Sequence, residues 1–234
     1  MADNEAILLK DQEDEELKPI LGEVKKQNIA YRLVKRLIDI IAGVVGVILL
    51  IPITIIVGAI RIIKKENDGP LFYEQLRIGK NGKQFRMYKF RSMCVNADEK
   101  LKEYLENNEE ARKEYKKYKK LKEDPRITKV GKVLRATSLD EFPQLINVLK
   151  GDMSLVGPRP YLPREQKEMG EYYIGIIKVK PGITGPWQIS GRSKITFEDR
   201  LKMDWDYANK SSLKKDAKIL IKTFTKVIDK DGAI

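Results

Sequence analysis

The longest apolar run in the chain extends from Ile40 to Ile60, IIAGVVGVILLIPITIIVGAI, and contains no charged residue. About 20 apolar residues in a helix are enough to cross the hydrocarbon core of a bilayer. A helix buried in a soluble core is the alternative, but soluble helices seldom lack a polar face over this length. The pattern therefore favours a membrane helix.

Basic residues stand on both sides of this run: Lys35 and Arg36 before it, and Arg61, Lys64 and Lys65 after it. Basic flanks favour the cytoplasmic side of a membrane, which draws both ends of the segment to one face. Pro52, near the middle, removes a backbone donor and kinks a helix. We therefore expect a re-entrant helix-hairpin broken at Pro52 rather than a straight span. A break at this depth leaves carbonyl groups that need partners, for which Thr54 is a candidate.

Shorter patterns predict the elements that follow the apolar run. Two partly alternating segments flank the Asn-Gly pair at 81–82, which predicts a β-hairpin. A highly charged stretch near 96–123 has its apolar residues at helical spacing, which indicates an exposed helical insert. A helix is expected over about 140–150, and the Gly-Pro-Arg-Pro sequence at 157–160 predicts a rigid extended turn after it.

The last helical pattern has apolar residues on one face and lysines on the other. Its apolar face consists of Leu213, Ala217, Leu220, Ile221, Phe224, Val227 and Ile228. This arrangement is typical of a helix lying in an anionic membrane surface. A basic amphipathic helix packed on a soluble core is the alternative, and the pattern alone does not decide between them.

The composition narrows the chemistry. The chain of 234 residues has 46 Lys and Arg against 34 Asp and Glu, and this formal net charge of +12 indicates an anionic partner such as nucleic acid, lipid head groups or a phosphorylated substrate. Its single cysteine, Cys94, excludes an internal disulfide. The chain has no histidine, which excludes histidine-based triads and histidine metal ligands. Any chemistry must rest on carboxylates, Lys, Arg, Tyr or hydroxyl groups.

Candidate groups concentrate in RATSLDEFPQLINVLKGDMSLVGPRP, residues 135–160. Ser138 and Glu141 match a capping box, a purely structural explanation, but Pro143 fits better if Asp140 is the N-cap. In either case two adjacent carboxylates would lie at the positive end of a helix, which favours their ionised form and an anion nearby. Neighbouring helical residues point about 100° apart. Separate roles are therefore expected, in which one carboxylate attacks phosphorus and the other binds Mg²⁺.

Basic residues near these carboxylates are candidates for clamping a diphosphate. They are Lys89, Arg91, Arg159 and Arg192. The alternative for each is a solvated side chain on a basic surface, which is the commoner case. Spacing along the chain does not choose between the two.

The same residues carry a family resemblance. Five blocks occur in order: KRLIDI, YKFRSM, DPRITKVGKVLRATSLDEFPQLINVLKGDMSLVGPRP, KPGITGPWQISGR and KMDWDY. From about Tyr31 to its C-terminus, the chain resembles the bacterial sugar transferase family, the monotopic phosphoglycosyl transferases. The insert near 96–123 and the sequence WQISGR are most similar to the undecaprenyl-phosphate galactose phosphotransferase branch.

The resemblance implies a two-step reaction. Asp140 would attack the β-phosphorus of a UDP-sugar, release UMP and carry the phosphosugar until polyprenyl phosphate accepts it. Glu141 matches the family's metal-associated carboxylate, with Asp140 as a second candidate ligand of Mg²⁺. The substrate-binding candidates are Lys89, Arg91, Arg159, Arg192 and Asp204. The last two could instead form a structural pair.

The predicted architecture is a mainly helical α+β fold, with a small β-hairpin or sheet and amphipathic interfacial helices around a cytoplasmic catalytic core. Residues 1–30 are expected to form an N-terminal tail and 31–66 the re-entrant membrane helix. Residues 67–234 would form the catalytic domain, including the insert near 96–123 and the interfacial C-terminal helix.

The resemblance also implies a location and partners. We expect the chain on the cytoplasmic face of the bacterial inner membrane, with UDP-sugar and polyprenyl phosphate as its substrates. The rival hypothesis is a non-enzymatic, membrane-anchored basic binding protein. No nucleic-acid-binding motif is recognisable in the chain. A homodimer, the transferred sugar and the glycan pathway are left open.

Overall fold

The computed structural model describes residues 27–66, 68–118, 121–190 and 195–228. Most of the tail predicted for residues 1–30 therefore lies outside the described residues. The fold is a mainly helical α+β arrangement with two small sheets, as predicted. Its helices are α1 (Ile29–Ile63), α2 (Ala97–Asn107), α3 (Glu109–Tyr118), α4 (Lys129–Ala136), α5 (Gln144–Lys150), α6 (Gln166–Met169), α7 (Tyr172–Ile176), α8 (Phe197–Lys210) and α9 (Leu213–Ile228). Its strands are β1 (Phe72–Ile78), β2 (Gln84–Phe90), β3 (Ser154–Val156) and β4 (Gly182–Thr184).

Helix α1 runs unbroken for 35 residues. It begins after Asn28, whose side chain accepts a hydrogen bond from the Ala30 N–H. Pro52 lies inside the helix, and no break in helical structure separates two arms there. Thr54 Oγ1 donates to the Leu50 carbonyl at 2.7 Å. The predicted helix-hairpin is therefore not confirmed, and the same-side position of the two helix ends remains a prediction.

The packed face of α1 is fixed by two glycines and a stripe of apolar side chains. A Cβ atom on Gly46 would come within 2.3 Å of Leu145 Cδ1, and one on Gly43 within 3.1 Å of Leu149 Cβ, so these two glycines let α1 approach α5 closely. Further along, Leu50 and Val57 enter a core cluster with Phe90, Val130 and Leu134. Burying side chains of this size stabilises the fold by about 1.5–3 kcal/mol each.

Polar contacts hold α1 on the body near both of its ends. Near the start, Arg36 donates to the Val148 and Leu149 carbonyls at 2.7 and 2.8 Å. At the other end, Arg61 donates to the Gly69 and Pro70 carbonyls. The helix therefore lies along the body instead of projecting from it.

The remaining faces of α1 are apolar and uncovered. Only 22% of the most apolar 18-residue stretch of α1 is buried, and the helix is long and apolar enough to cross a membrane. Its exposed large apolar residues include Leu33, Leu37, Ile41, Ile48, Ile51, Ile55 and Ile62. The alternative of a helix buried in a soluble core is therefore wrong.

The β-hairpin predicted around 81–82 is confirmed. Strands β1 and β2 pair antiparallel from Phe72↔Phe90 to Ile78↔Gln84. A 3₁₀ turn at Lys80–Gly82 joins them, with Asn81 at φ 56° and Gly82 at φ 76°. Asn and Gly tolerate this left-handed backbone better than other residues, which explains the turn.

The insert predicted near 96–123 is helical, and it forms two helices instead of one. Helix α2 ends at Asn107, and α3 begins after Asn108, whose side chain accepts a hydrogen bond from the Ala111 N–H at 2.9 Å. Leu101, Ala111 and Leu121 form a small core of their own beneath the charged faces. The charges themselves are largely solvated, as expected.

A short parallel pair, β3 and β4, connects α1 to the C-terminal helices. Asp39 of α1 is 3% exposed and accepts hydrogen bonds from Ser154 Oγ and the Leu155 N–H, at 3.0 and 2.9 Å. On the other side, Val156 packs with Tyr207 of α8 and Ile219 of α9. This arrangement fixes the extended segment 157–160 that follows β3.

Helix α9 packs on the body mainly beside its predicted apolar face, of which Leu220 also contacts the core. Asp216 and Ile219 point inward and are 6% and 4% exposed. Leu213, Ile221 and Phe224 of the predicted apolar face are 40%, 66% and 69% exposed. The helix is therefore both packed on the core and open along an apolar side, and its depth in a membrane remains a prediction.

Candidate active site

A cavity of about 420 Å³ lies between the open end of the β-hairpin, the start of α2, α4 and the segment around 159–165. We call it the carboxylate cavity. Seven Lys or Arg and five Asp or Glu side chains are among the residues that line it. Four of the residues singled out in the sequence belong to this lining: Lys89, Arg91, Asp140 and Arg159. Such a cavity can accommodate a substrate with several negative charges.

Asp140 lies in a 3₁₀ turn, Leu139–Glu141, ahead of α5. Ser138 precedes the turn at φ 58° and forms no side-chain cap. The N-cap of α5 is Pro143, again without a side-chain hydrogen bond. The predicted capping box and the prediction of Asp140 as N-cap are therefore both wrong, because the tight turn moves the helix start three residues further along.

Burial dominates the electrostatics of Asp140. The residue is 7% exposed, and burial raises its carboxyl pKa from 3.8 to about 6. Lys89 and Arg135 act in the opposite direction, and the neighbouring charge of Glu141 adds to the increase. The prediction that a helix terminus would favour ionisation is wrong for Asp140. Its carboxylate is still mostly ionised at neutral pH and becomes protonated on mild acidification.

Lys89 joins the two adjacent carboxylates. Its Nζ donates to Glu141 Oε1 at 2.8 Å and lies 4.0 Å from Asp140 Oδ2. Lys89 reaches them from β2, so strand pairing positions the ammonium group. Glu141 is the more open carboxylate, with a side chain 40% exposed against 10% for Asp140. The two carboxylates therefore differ in environment while they share one cation.

The donor set suits a hard divalent cation only in part. Within the described ranges, no group of three or more His, Cys, Asp and Glu side chains is arranged to hold a metal. Asp140 and Glu141 offer adjacent carboxylate oxygens, and Mg²⁺ is commonly bound by one or two carboxylates together with phosphate and water oxygens. The two residues therefore fit a Mg²⁺ ion that arrives with a diphosphate.

Arg159 lies in the extended segment that Asp204 supports. Asp204 Oδ2 accepts hydrogen bonds from the Arg159 N–H at 3.0 Å and from Tyr161 Oη at 2.8 Å. Asp204 is completely buried and outside the cavity lining, and burial raises its pKa to about 7. In this arrangement it holds the backbone behind Arg159, and its predicted contact with substrate remains a prediction. The Arg159 guanidinium lies 5.7 Å from the centre of the Trp187 ring.

The other predicted positions are placed differently. Arg91 lines the cavity, and its Nε donates to the Pro70 carbonyl at 2.9 Å. Arg192 lies outside the described residues. Pro52 is on α1 and is not among the residues lining the cavity.

The structure adds basic residues that the sequence reasoning missed. Arg135 lines the cavity, and its Nε donates to Ser92 Oγ at 3.0 Å. Its positive charge lowers the pKa of Asp140. Arg77, Arg126 and Arg164 also line it. Arg126 is held by Asp124 through Nε–Oδ1 and Nη2–Oδ2 contacts of 2.8 and 2.7 Å. Arg126 and Arg135 belong to the same sequence block as Asp140, and this closeness in sequence could have identified them as candidate site residues.

Comparison with known proteins extends this picture. The family described as "Bacterial sugar transferase" matches residues 30–230. An undecaprenyl-phosphate galactose phosphotransferase of Salmonella typhimurium is 45% identical over 86% of this chain and 42% of its own length. A UDP-galactose-lipid carrier transferase of Erwinia amylovora is 42% identical over 86% of this chain and 42% of its own.

A shorter relative matches over most of its length. The exopolysaccharide production protein ExoY of Rhizobium meliloti is 40% identical over 82% of this chain and 84% of its own length. The chain thus spans about two fifths of the Salmonella and Erwinia proteins and most of ExoY.

Proposed function

The chain belongs to the bacterial sugar transferase family, and from this premise we propose that it transfers a sugar 1-phosphate from a UDP-sugar to polyprenyl phosphate, releasing UMP. The product would be the lipid-linked sugar on which a membrane polysaccharide or other glycan is assembled. The names of the relatives, which include galactose, undecaprenyl phosphate and exopolysaccharide, support this substrate class. They give no support to the rival hypothesis of a non-enzymatic binding protein.

The observation that carries the proposal is the buried carboxylate of Asp140 beside Lys89 in a cationic cavity. In the first step, an Asp140 oxygen forms a bond to the β-phosphorus of the UDP-sugar. The bond from that phosphorus to the bridging oxygen breaks, and UMP leaves with the electron pair. In the second step, a phosphate oxygen of the polyprenyl phosphate attacks the same phosphorus, and the carboxylate of Asp140 is released.

Surrounding cations would stabilise the charge that develops on phosphate oxygens. Lys89 is positioned by β2 and by its hydrogen bond to Glu141, and Asp204 fixes the backbone from which the Arg159 side chain extends. Arg135 and Arg91 extend the positive lining. Glu141 would hold Mg²⁺ together with Asp140, and the ion would supply charge neutralisation for the diphosphate.

We also propose that the chain acts at the cytoplasmic face of the bacterial inner membrane, with α1 as a re-entrant element. The uncovered apolar faces of α1 and α9 support membrane association. The contacts that hold α1 on the body near both ends, through Arg36 and Arg61, support an arrangement in which both ends share one side. Introduced cysteines at positions 35 and 65 should both react with a reagent confined to the cytoplasmic side, and opposite-side labelling would favour a straight span.

The covalent step is tested with purified protein and UDP-galactose in Mg²⁺ without lipid acceptor. We expect a burst of UMP of about one per protein chain and the mass of a phosphosugar on a peptide that contains Asp140. Asp140→Asn should lose both signals. The neutral side chain should not weaken the fold, because the raised folded-state pKa means that stability falls as the pH rises from 3.8 to about 6, and the full cost of ionising Asp140 is present above that range.

The competing mechanism is direct attack by polyprenyl phosphate on the UDP-sugar in a ternary complex. It predicts no UMP without acceptor and no labelled peptide. If no UDP-sugar in a panel yields UMP even with acceptor present, the transferase assignment itself fails.

A further inference from the structure

A second cavity of about 420 Å³ lies at the opposite end of the β-hairpin from the carboxylate cavity. We call it the basic cavity. Its walls are the first turns of α1, the hairpin turn, strand β3, the segment before β4, and Tyr207 of α8. The lining residues that bear on its ligand are Ile29, Arg32, Leu33, Asp39, Lys80 and Lys180. Its volume is within the usual range of ligand pockets, about 300–1,000 Å³.

The basic cavity is separate from the carboxylate cavity. The two linings have no residue in common. Lys80 lies in the hairpin turn, whereas Lys89 is near the far end of β2. At about 3.4 Å per residue, the stretch from Gln84 to Lys89 alone covers about 17 Å. A phosphate group in the basic cavity therefore cannot be the one that reacts at Asp140.

Positive charge in the basic cavity is only partly neutralised. Lys35 is paired with Asp216 at 2.6 Å, and Arg36 is engaged with carbonyl groups. In contrast, across the described part of the chain no carboxylate forms an ion pair with Arg32, Lys80 or Lys180. Asp39 is the single carboxylate of the lining, and Ser154 Oγ and the Leu155 N–H already donate to it.

The ammonium groups of Lys80 and Lys180 are poorly solvated. Both are partly buried, and burial is the main cause that lowers each pKa. The positive charge of Arg32 lowers the pKa of Lys80 further. The charges of Arg36 and Lys80 likewise lower the pKa of Lys180, whereas Asp39 and Asp152 raise it. An anion among these groups would relieve their mutual repulsion.

An apolar stripe leads away from the basic cavity along α1. Ile29 and Leu33 line the cavity and are 69% and 67% exposed, and Leu37 follows one turn later. Residues four apart lie on one side of a helix, so these side chains form a continuous track toward the uncovered apolar run. An inorganic anion has no apolar part that could pack against these side chains, whereas a lipid has acyl chains that can.

We propose that the basic cavity binds the phosphate group of an anionic membrane lipid, with Arg32, Lys80 and Lys180 around the phosphate and the acyl chains along Leu33 and Leu37. This lipid is neither sugar donor nor acceptor. It anchors the first turns of α1 at the membrane surface, and it is independent of the proposed transferase reaction.

The test is native mass spectrometry of the full chain in detergent, titrated with phosphatidylglycerol, phosphatidylcholine or inorganic phosphate. We expect one tightly retained phosphatidylglycerol and no comparable phosphatidylcholine. The double substitution Lys80→Gln and Lys180→Gln should weaken phosphatidylglycerol binding by roughly tenfold to thirtyfold, from the usual contribution of two lysines near anionic lipid. The matched control, Lys102→Gln with Lys116→Gln, removes two exposed charges from α2 and α3 and should bind as the unmodified chain does.

Equal retention of the two lipids, or equal loss in both double variants, would overturn the proposal. Saturation by inorganic phosphate with no further gain from phosphatidylglycerol would identify an inorganic phosphate site and reject the lipid. UMP release in detergent should stay within about twofold in the Lys80/Lys180 variant. Absence of UMP release from the unmodified chain would count against the transferase reaction and leave the lipid result unaffected.

Discussion

The two ends of the β-hairpin place lysines in opposite electrostatic settings. At the open end, Lys89 Nζ lies 2.8 Å from Glu141 and 4.0 Å from Asp140. At the turn end, Lys80 and Lys180 share a cavity whose single carboxylate, Asp39, is engaged by Ser154 Oγ and the Leu155 N–H. Both cavities have the same volume of about 420 Å³, so their size does not distinguish them.

The difference shows what neighbouring carboxylates add to a basic cavity. Cations alone can attract and retain an anion. Cations with a buried carboxylate can also organise a nucleophile and a divalent ion beside that anion. We therefore assign the chemistry to the open end and binding alone to the turn end.

Metal removal should produce the largest contrast between the two ends. EDTA should reduce UMP release by roughly 100-fold or more, because the diphosphate charge then lacks its divalent counterion, and Mg²⁺ should restore it. Glu141→Gln should cause a comparable loss. Phosphatidylglycerol binding measured by mass spectrometry should be unchanged by EDTA. Full turnover in EDTA would reject a metal at the open end.

Lysine substitution compares the two ends directly. Lys89→Met should lower kcat/KM for UDP-sugar by about 100-fold, the usual loss when one positioned charge donor is removed. Lys80→Met should change it by less than about twofold. Steady-state kinetics in detergent measure both, with circular dichroism to check that each variant is folded. Equal losses of kcat/KM in the two variants would mean that lysines at both ends of the hairpin contribute to the reaction.

Mild acid should inactivate the open end through Asp140. Its pKa is raised to about 6, so a carboxylate that must be ionised to attack is mostly available at pH 7 and mostly protonated at pH 5. We expect kcat/KM for UDP-sugar to fall by about tenfold between these values, since it reports the free enzyme. A profile that stays flat down to pH 5 would show that Asp140 ionises at its ordinary pKa or is not the nucleophile.

The smallest expected effect concerns the carboxylate at the turn end. Asp39→Asn removes the one negative charge of the basic cavity, while the amide oxygen can still accept from Ser154 Oγ and the Leu155 N–H. Phosphatidylglycerol should bind about twofold to fivefold more tightly, because Ser154 Oγ and the Leu155 N–H already offset part of the charge on the buried Asp39 carboxylate. Weaker binding with an unchanged melting temperature would show that Asp39 shapes the cavity instead of opposing its ligand.

Local signals predicted much of the fold. The Asn-Gly pair predicted the hairpin, and helical spacing predicted both the insert and α9. Prediction failed where a few residues adopt a special backbone, as at Ser138, whose left-handed conformation ends one element and begins a tight turn. The break expected at Pro52 is also not confirmed, because neighbouring packing determines whether a helix continues through a proline.

The composition and the apolar pattern, read from the sequence by itself, determined two properties of this protein. The absence of histidine limited the chemistry to carboxylates and basic groups, and the run from Ile40 to Ile60 required an apolar surface. Only the tertiary structure decided the burial of Asp140, the approach of Lys89 from a strand about fifty residues away, and the convergence of Arg32, Lys80 and Lys180. Local patterns depend on residues a few positions apart. Burial and charge convergence depend on segments distant in sequence, whose contacts form only when the chain packs.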